Sequence, residues 1–181
     1  MHKYKTFVEI LESADREKAV FSAFFKGIKE DVSYGTFLDT IRSYPEIKGK
    51  TFAFLGDNSF SSILLLFILA YQKKTIVLLN PLEDEKLRKE KLNSLPFDGR
   101  VKGNQRIPYP NPKENDNKEA YFYFYTSGTT SSSKAVVLTE ENLCASSYNG
   151  SYCLPLTEQD RFLSLLPLFH VFGFVCALLW P

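Results

Sequence analysis

Histidine, cysteine and an excess of either charge sign are scarce in this 181-residue chain, and each scarcity removes a class of function. Two histidines, His2 and His170, cannot build a multi-histidine zinc site. Three cysteines, Cys144, Cys153 and Cys176, show no C-x-x-C spacing. A disulfide scaffold is therefore not implied, and a reducing, cytoplasmic compartment is the default. Lys and Arg number 22 against 21 Asp and Glu, a net charge of +1. That balance gives no global attraction to nucleic acid or to an anionic membrane, so any phosphate binding must be local. The opening MHKYKTFVEI has charge but lacks the apolar centre of a secretory signal. Long apolar runs are missing too. The run 63–70 is far short of the roughly 20 residues a spanning helix needs, and 162–181 is interrupted by Pro167, His170 and Gly173. No membrane span is expected.

What is present is ordinary globular material, 44% apolar and 24% charged, enough for one core. Residues 6–13 read as an amphipathic helix, 18–25 as a β-prone run and 35–43 as a second helix. Thr51-Phe-Ala-Phe-Leu55 reads as a buried strand closed by Gly56-Asp57-Asn58-Ser59, where Asn58 or Ser59 can cap a helix running to about Tyr71. A strand over 75–79, ended by Asn80-Pro81, and a charged, exposed helix over 83–92 follow. Residues 96–118 are rich in Pro, Gly, Asn and charge and read as a linker or mobile loop. Tyr121-Phe-Tyr-Phe-Tyr125 reads as a strand buried on both faces, and 162–179 as a core strand followed by a helix. The alternation predicts an α/β fold, a mostly parallel sheet flanked by helices. It divides into a first α/β portion (1–95), the linker or loop (96–118) and a third portion (119–181) whose apolar end reads as truncated.

The chemistry concentrates after the aromatic strand. From Thr126 to Ser133 every residue except Gly128 carries a hydroxyl, and Lys134 follows. Hydroxyls and free N–H groups donate to phosphate oxygens, glycine allows close approach, and lysine supplies charge. The same composition also suits a flexible Ser/Thr turn. A Walker A loop is excluded, because counting from Gly128 the second glycine position holds Ser133 and Ala135 follows Lys134. No G-x-G-x-x-G follows a strand, so a dinucleotide-binding fold has no support. A lone histidine such as His170 in an apolar stretch is most often a hydrogen-bonded core residue.

The segment Tyr125-Thr-Ser-Gly-Thr-Thr-Ser-Ser-Ser-Lys-Ala-Val136 resembles the phosphate-loop signature Y-T-S-G-T-T-G-x-P-K-G-V of the adenylate-forming superfamily, with Ser131, Ser133 and Ala135 in place of glycine, proline and glycine. Leu138-Thr-Glu-Glu-Asn-Leu143 resembles its L-T-x-x-N-L helix start, with Thr139 as cap and Asn142 reaching back. Pro167-Leu-Phe-His-Val-Phe-Gly173 resembles its P-x-F-H-x-x-G turn; Leu79-Asn80-Pro81 and Val32-Ser33-Tyr34 match further elements.

The resemblance implies the amino-terminal portion of an ATP-dependent ligase that activates a carboxylic acid as an acyl-adenylate and passes it to a thiol, with CoA as the implied co-substrate. ATP phosphates would be held by Thr126, Ser127, Gly128, Thr129, Thr130, Ser131 and Lys134, with Mg2+ sharing their charge; the acid would be bordered by Phe169, His170 and Gly173. His170 is assigned a positioning role, since a carboxylate is already ionised at neutral pH. No complete catalytic set and no protein metal site are expected within these residues, and the isolated piece is expected to be inactive until joined by the remaining carboxyl-terminal part. The L-P-L-F-H-V-F-G wording slightly prefers a fatty-acyl substrate. The apolar end predicts self-association. A noncatalytic interaction module that keeps the fold is the alternative.

Overall fold

The computed structural model describes residues 4–25, 28–102, 105–126, 134–154, 157 and 159–179. In chain order the elements are α1 (Phe7–Ser13), β1 (Ala19–Phe25), β2 (Ile28–Ser33), α2 (Tyr34–Ser43), β3 (Thr51–Leu55), α3 (Phe60–Tyr71), β4 (Thr75–Leu78), α4 (Glu85–Asn93), β5 (Gly99–Lys102), β6 (Gln105–Pro108), β7 (Tyr121–Tyr125), β8 (Ala135–Thr139), α5 (Glu140–Tyr152) and α6 (Val171–Phe174), which runs into a π-helical stretch, Val175–Leu179. Local chemistry sets many boundaries. Thr6 Oγ1 accepts from Glu9 N–H at the start of α1, and Ser33 and Ser59 cap α2 and α3 in the same way. Of the two cap candidates before α3, Ser59 holds the position.

β1 and β2 form an antiparallel hairpin, and the other strands form a six-stranded sheet in the order β6-β5-β3-β4-β7-β8. The four inner strands are parallel and the two edges antiparallel. The fold is therefore α/β with a mostly parallel sheet. One sheet face, with Phe52, Phe54, Ile76, Leu78, Phe122 and Phe124, packs on α1, α2 and α3. Ala53, Leu55, Val77 and Leu79 face the other way and meet Leu92, Leu95 and Phe97 in and after α4. Since α3 and α4 cover opposite faces, strand order reverses between β3 and β4. The carboxyl ends of those strands flank the kind of crevice where open α/β sheets place ligands.

Four segments depart from the sequence expectation. The interval 96–118 holds β5 and β6 rather than acting as a free linker, because the side chains that suggest a loop are spent on backbone partners. Asp98, buried, accepts from the N–H groups of Lys50 (2.9 Å), Thr51 (2.9 Å) and Lys113 (2.7 Å). Asn115 Nδ2 donates to Gln72 O and Asn117 Nδ2 to Lys73 O, each at 3.0 Å, stapling the segment to the α3–β4 turn. Gly49 enters this corner at φ 109°, where an added Cβ would lie 2.7 Å from that of Asp98.

β7 is buried on one face only. Phe122 and Phe124 are covered while Tyr121, Tyr123 and Tyr125 are half-buried, as suits rings that carry a hydroxyl. The helix over 85–93 is likewise not wholly exposed, since Lys91 turns inward, ion-pairs with Glu83 and places Nζ 4.5 Å from the Tyr125 ring centroid.

Finally, residues 161–166 form no strand. Their backbone finds no neighbouring strand to pair with among the described residues, and Leu163 and Leu165 are 78% and 76% exposed.

Candidate functional site

The hydroxyl-rich loop springs from the β7–β8 hairpin. Tyr125 pairs with Ala135 in the ladder, and beyond it Thr126 N–H donates to Lys134 O at 2.9 Å, with Thr126 Oγ1 3.3 Å from the same oxygen. Thr126 and Lys134 thus close the stem of the loop, both exposed, at the carboxyl end of a strand inside the sheet. Ser127, Gly128, Thr129, Thr130 and Ser131 lie outside the described residues. Strand β8 itself is absent from the sequence reading, although the β-branched pair Val136-Val137 is the signal that marks it.

At the other end of β8, Thr139 and Asn142 form the expected reciprocal cap. Asn142 N–H donates to Thr139 Oγ1, and Thr139 N–H to Asn142 Oδ1, both at 3.1 Å. Between them Glu140 turns into the protein, where Oε1 accepts from Phe7 N–H at 2.7 Å and joins α5 to α1. Burial pushes the Glu140 carboxyl up to about 7, against the lowering effect of that hydrogen bond.

The P-x-F-H-x-x-G segment forms a tight turn. His170 N–H donates to Pro167 O at 3.2 Å and Phe174 N–H to His170 O at 2.9 Å. Gly173 is required by close approach, since a Cβ there would lie 2.5 Å from Pro167 O. Phe169 is half-buried, its ring 4.6 Å from that of His170, while His170 is exposed at the head of α6 and its side chain caps nothing there. A core role for this histidine is thereby removed. A cavity of about 260 Å³, lined by Leu166, Pro167, His170, Val171, Phe172 and Gly173, opens beside it. Phe169 is not among its lining residues, so it borders the site through His170. The lining is apolar apart from the imidazole and backbone.

The two candidate halves are joined by aromatic packing. Phe174, one residue beyond Gly173, sets its ring 5.5 Å from those of Phe122 and Phe124, on the strand that leads to Thr126. Opposite β7, the turn after β3 reaches the same segment through Asn58, a contact the sequence does not announce. That turn is internally fixed, with Asp57 Oδ1 accepting from Ser59 N–H (3.1 Å) and Ser62 Oγ (2.7 Å). Burial alone would raise the Asp57 carboxyl, but the hydroxyl and N–H donors of Ser59 and Ser62 hold it below the ordinary aspartate range. Among the described residues no group of three His, Cys, Asp or Glu side chains could hold a metal ion, and no helix is long and apolar enough to cross a membrane.

A family model described as AMP-binding enzyme matches residues 52–181. Among curated proteins, the probable CoA ligase CCL9 of Humulus lupulus is 43% identical over 65 residues, covering 36% of this chain and 12% of that protein. The oxalate–CoA ligase of Arabidopsis thaliana is 50% identical over 54 residues, or 30% of this chain and 10% of that protein. Among solved structures, the o-succinylbenzoate CoA synthetase of Bacillus subtilis, in complex with its acyl-adenylate intermediate, superposes with a TM-score of 0.73 at 20% identity, over 98% of this chain and 53% of that one. This chain thus spans about half the length of that neighbour, and the structural likeness is one of fold.

Proposed function

The chain belongs to the AMP-binding enzyme family as its amino-terminal portion, and we propose that it supplies the phosphate-binding loop and the acid-binding turn of an ATP-dependent acid–CoA ligase. The observation that carries this reading is the closed stem of Thr126 and Lys134, which presents a hydroxyl-rich loop and a lysine at the carboxyl end of β7. In the proposed reaction a carboxylate attacks the α-phosphorus of ATP, forming acyl-adenylate as pyrophosphate leaves. The CoA thiol then attacks the acyl carbon, forming the thioester as AMP leaves. Neither half needs a protein nucleophile. Catalysis rests on positioning and on stabilising charge.

In this reading Ser127, Gly128, Thr129, Thr130 and Ser131 donate to the β- and γ-phosphates between Thr126 and Lys134, and Mg2+ shares the phosphate charge. Phe169, His170 and Gly173 border the acid, with His170 the polar group at the mouth of a cavity that is otherwise apolar. The fatty-acyl preference gains nothing from those relatives whose names specify an acid, which is oxalate, 2-succinylbenzoate or sulfoacetate. The apolar lining is what remains in its favour. A reducing, cytoplasmic setting belongs to this reading through the spacing of the three cysteines, which has no C-x-x-C pair. Because the chain spans about half of its structural neighbour, the complete reaction is assigned to a protein carrying further carboxyl-terminal residues, and this piece alone is expected to be inactive.

The test is exchange of labelled pyrophosphate into ATP by the protein that carries this chain, with Lys134→Ala against wild type. Loss of a charged donor to the phosphates should lower exchange on the order of a hundredfold, with the melting temperature unchanged because Lys134 is exposed. Unchanged exchange removes Lys134 from the site. The alternative, a noncatalytic module that binds a protein through the exposed residues of 162–172, is favoured by the 64% exposure of Phe172. It predicts no exchange in the wild type either.

A further inference from the structure

The turn that carries His170 is closed on itself and is tied to the body of the protein at each end. At one end Phe174 is fully buried against Phe122 and Phe124. At the other, the Asn58 side-chain amide donates to Ser164 O and to Leu166 O, each at 2.9 Å, with Ser164 Oγ at 3.3 Å. Two carbonyl oxygens at that distance can be met only by the NH2 group, so the orientation of the amide follows from its partners. These bonds span 106 and 108 residues of sequence. They join the turn after β3 to Leu166, the first residue of the cavity wall.

Asn58 is well placed to act as a fixed point. Its neighbours are locked by the bonds from Ser59 and Ser62 to Asp57, and Ser59 caps α3, so the backbone that presents the amide is held by the helix behind it. The next anchor along the chain is Leu168, buried in the core; ahead of it the segment that Asn58 grips enters no ladder among the described residues. Residues 161–166 have no strand partner among the described residues, and Leu163 and Leu165 face solvent on either side of Ser164. Ser59 already serves as the cap for α3, which leaves the Asn58 amide free for this separate role.

We propose that Asn58 is a positioning residue for the acid-binding turn: its amide, gripping the Ser164 and Leu166 carbonyls, sets where the cavity wall and His170 stand. The proposal rests on the reading of that turn as the acid site. Two variants separate donor chemistry from bulk. Asn58→Ala removes the amide, and Asn58→Asp keeps the shape but turns an oxygen toward two carbonyl oxygens.

In the protein that carries this chain, both variants should raise KM for the acid roughly tenfold, Asp more than Ala, while KM for ATP stays within about twofold. A merely structural role would lower stability without splitting the two KM values. Hydrogen exchange on the 181-residue chain supplies a readout that needs no activity. The His170 and Phe174 amides should exchange faster in Asn58→Ala, while the Thr75 and Leu79 amides, bonded to Lys50 O and Phe54 O, stay protected.

His170→Ala is the control. If it raises KM for the acid and the Asn58 variants do not, Asn58 is not a positioning residue. If neither changes it, the acid-site reading itself fails and this proposal falls with it. Unchanged exchange at His170 in Asn58→Ala overturns the tether directly.

Discussion

Two apolar stretches, Phe60–Tyr71 and 162–170, are alike in composition and opposite in fate. The first is helix α3, in which Leu66, Ile68 and Leu69 are fully buried between α1, α2 and the sheet. The second forms neither helix nor strand and leaves Leu163 and Leu165 in solvent, although Leu168 and the following Phe174 are covered. Hydrophobicity decides neither outcome by itself. A partner surface does, and α3 lies on a sheet face while 161–166 meets no strand among the described residues. The difference also marks the division of labour. The covered stretch is scaffold, and the uncovered one leads to the cavity beside His170.

The largest expected effect is on the covered side. Leu66→Ala removes a fully buried side chain from a packed layer and should destabilise by about 3–4 kcal/mol. Urea unfolding would register this as a lower midpoint at unchanged slope. A cost below about 1 kcal/mol would mean that α3 is not the core element its burial makes it.

Next is the polar anchor of the sheet end where β5 begins. Asp98→Ala leaves the N–H groups of Lys50, Thr51 and Lys113 without their acceptor and should cost about 3 kcal/mol. Burial by itself would raise this carboxyl, but the N–H donors from Lys113, Thr51 and Lys50 outweigh it and hold the acid below its ordinary range. A depressed folded-state value stabilises above the unfolded aspartate value. Its contribution should therefore disappear as pH falls below about 4. Melts from pH 6 to pH 3 should show a decline in the wild type that is shallower in Asp98→Ala.

Glu140, where β8 passes into α5, has the opposite sign. Burial raises its carboxyl to about 7, so the stabilising form is the protonated one. Its contribution is complete below the unfolded glutamate value and is lost as pH rises toward 7, a change of about 3 kcal/mol. Glu140→Gln keeps an acceptor for Phe7 N–H without a charge to bury, so it should flatten the profile between pH 5 and pH 8. A wild type equally stable at both values would show that Glu140 is ionised at no cost. The two carboxyls, both at the amino end of the parallel strands, thus respond to pH in opposite directions, one through satisfied donors and the other through desolvation.

Much of the scaffold was legible from local chemistry. The Ser59 cap, the Thr139–Asn142 box and the strands over Thr51–Leu55 and Thr75–Leu78 depend on near neighbours and on period, and they stand where those signals point. Sequence and structure part where distant residues decide. Pro, Gly and Asn in 96–118 signal turns, but Asp98 and Asn115 find partners about 40 residues away or more, and the segment carries two strands. The alternation after Phe162 resembles a strand, yet a strand needs an adjacent ladder. In the candidate site, the loop and the turn were legible as motifs. Asn58 was legible only as a possible cap, because its partners stand more than 100 residues later.

The smallest expected effect tests the uncovered side. Leu163 is 78% exposed, so Leu163→Ala in the 181-residue chain surrenders little buried surface and leaves no cavity behind. The change should fall within about 0.5 kcal/mol, against several for the same substitution at Leu66. The comparison holds side-chain chemistry constant and varies only the cover, so the ratio of the two costs measures what a partner surface contributes. The measurement is a matched pair of urea curves at several protein concentrations. A cost for Leu163→Ala that is small at low concentration and grows with concentration would show a second copy covering the stretch, and a cost above about 2 kcal/mol at every concentration would show that 161–166 is packed in solution. That last result would erase the contrast between the two stretches, and with it the view of 162–170 as a surface whose shape is set from the Asn58 end.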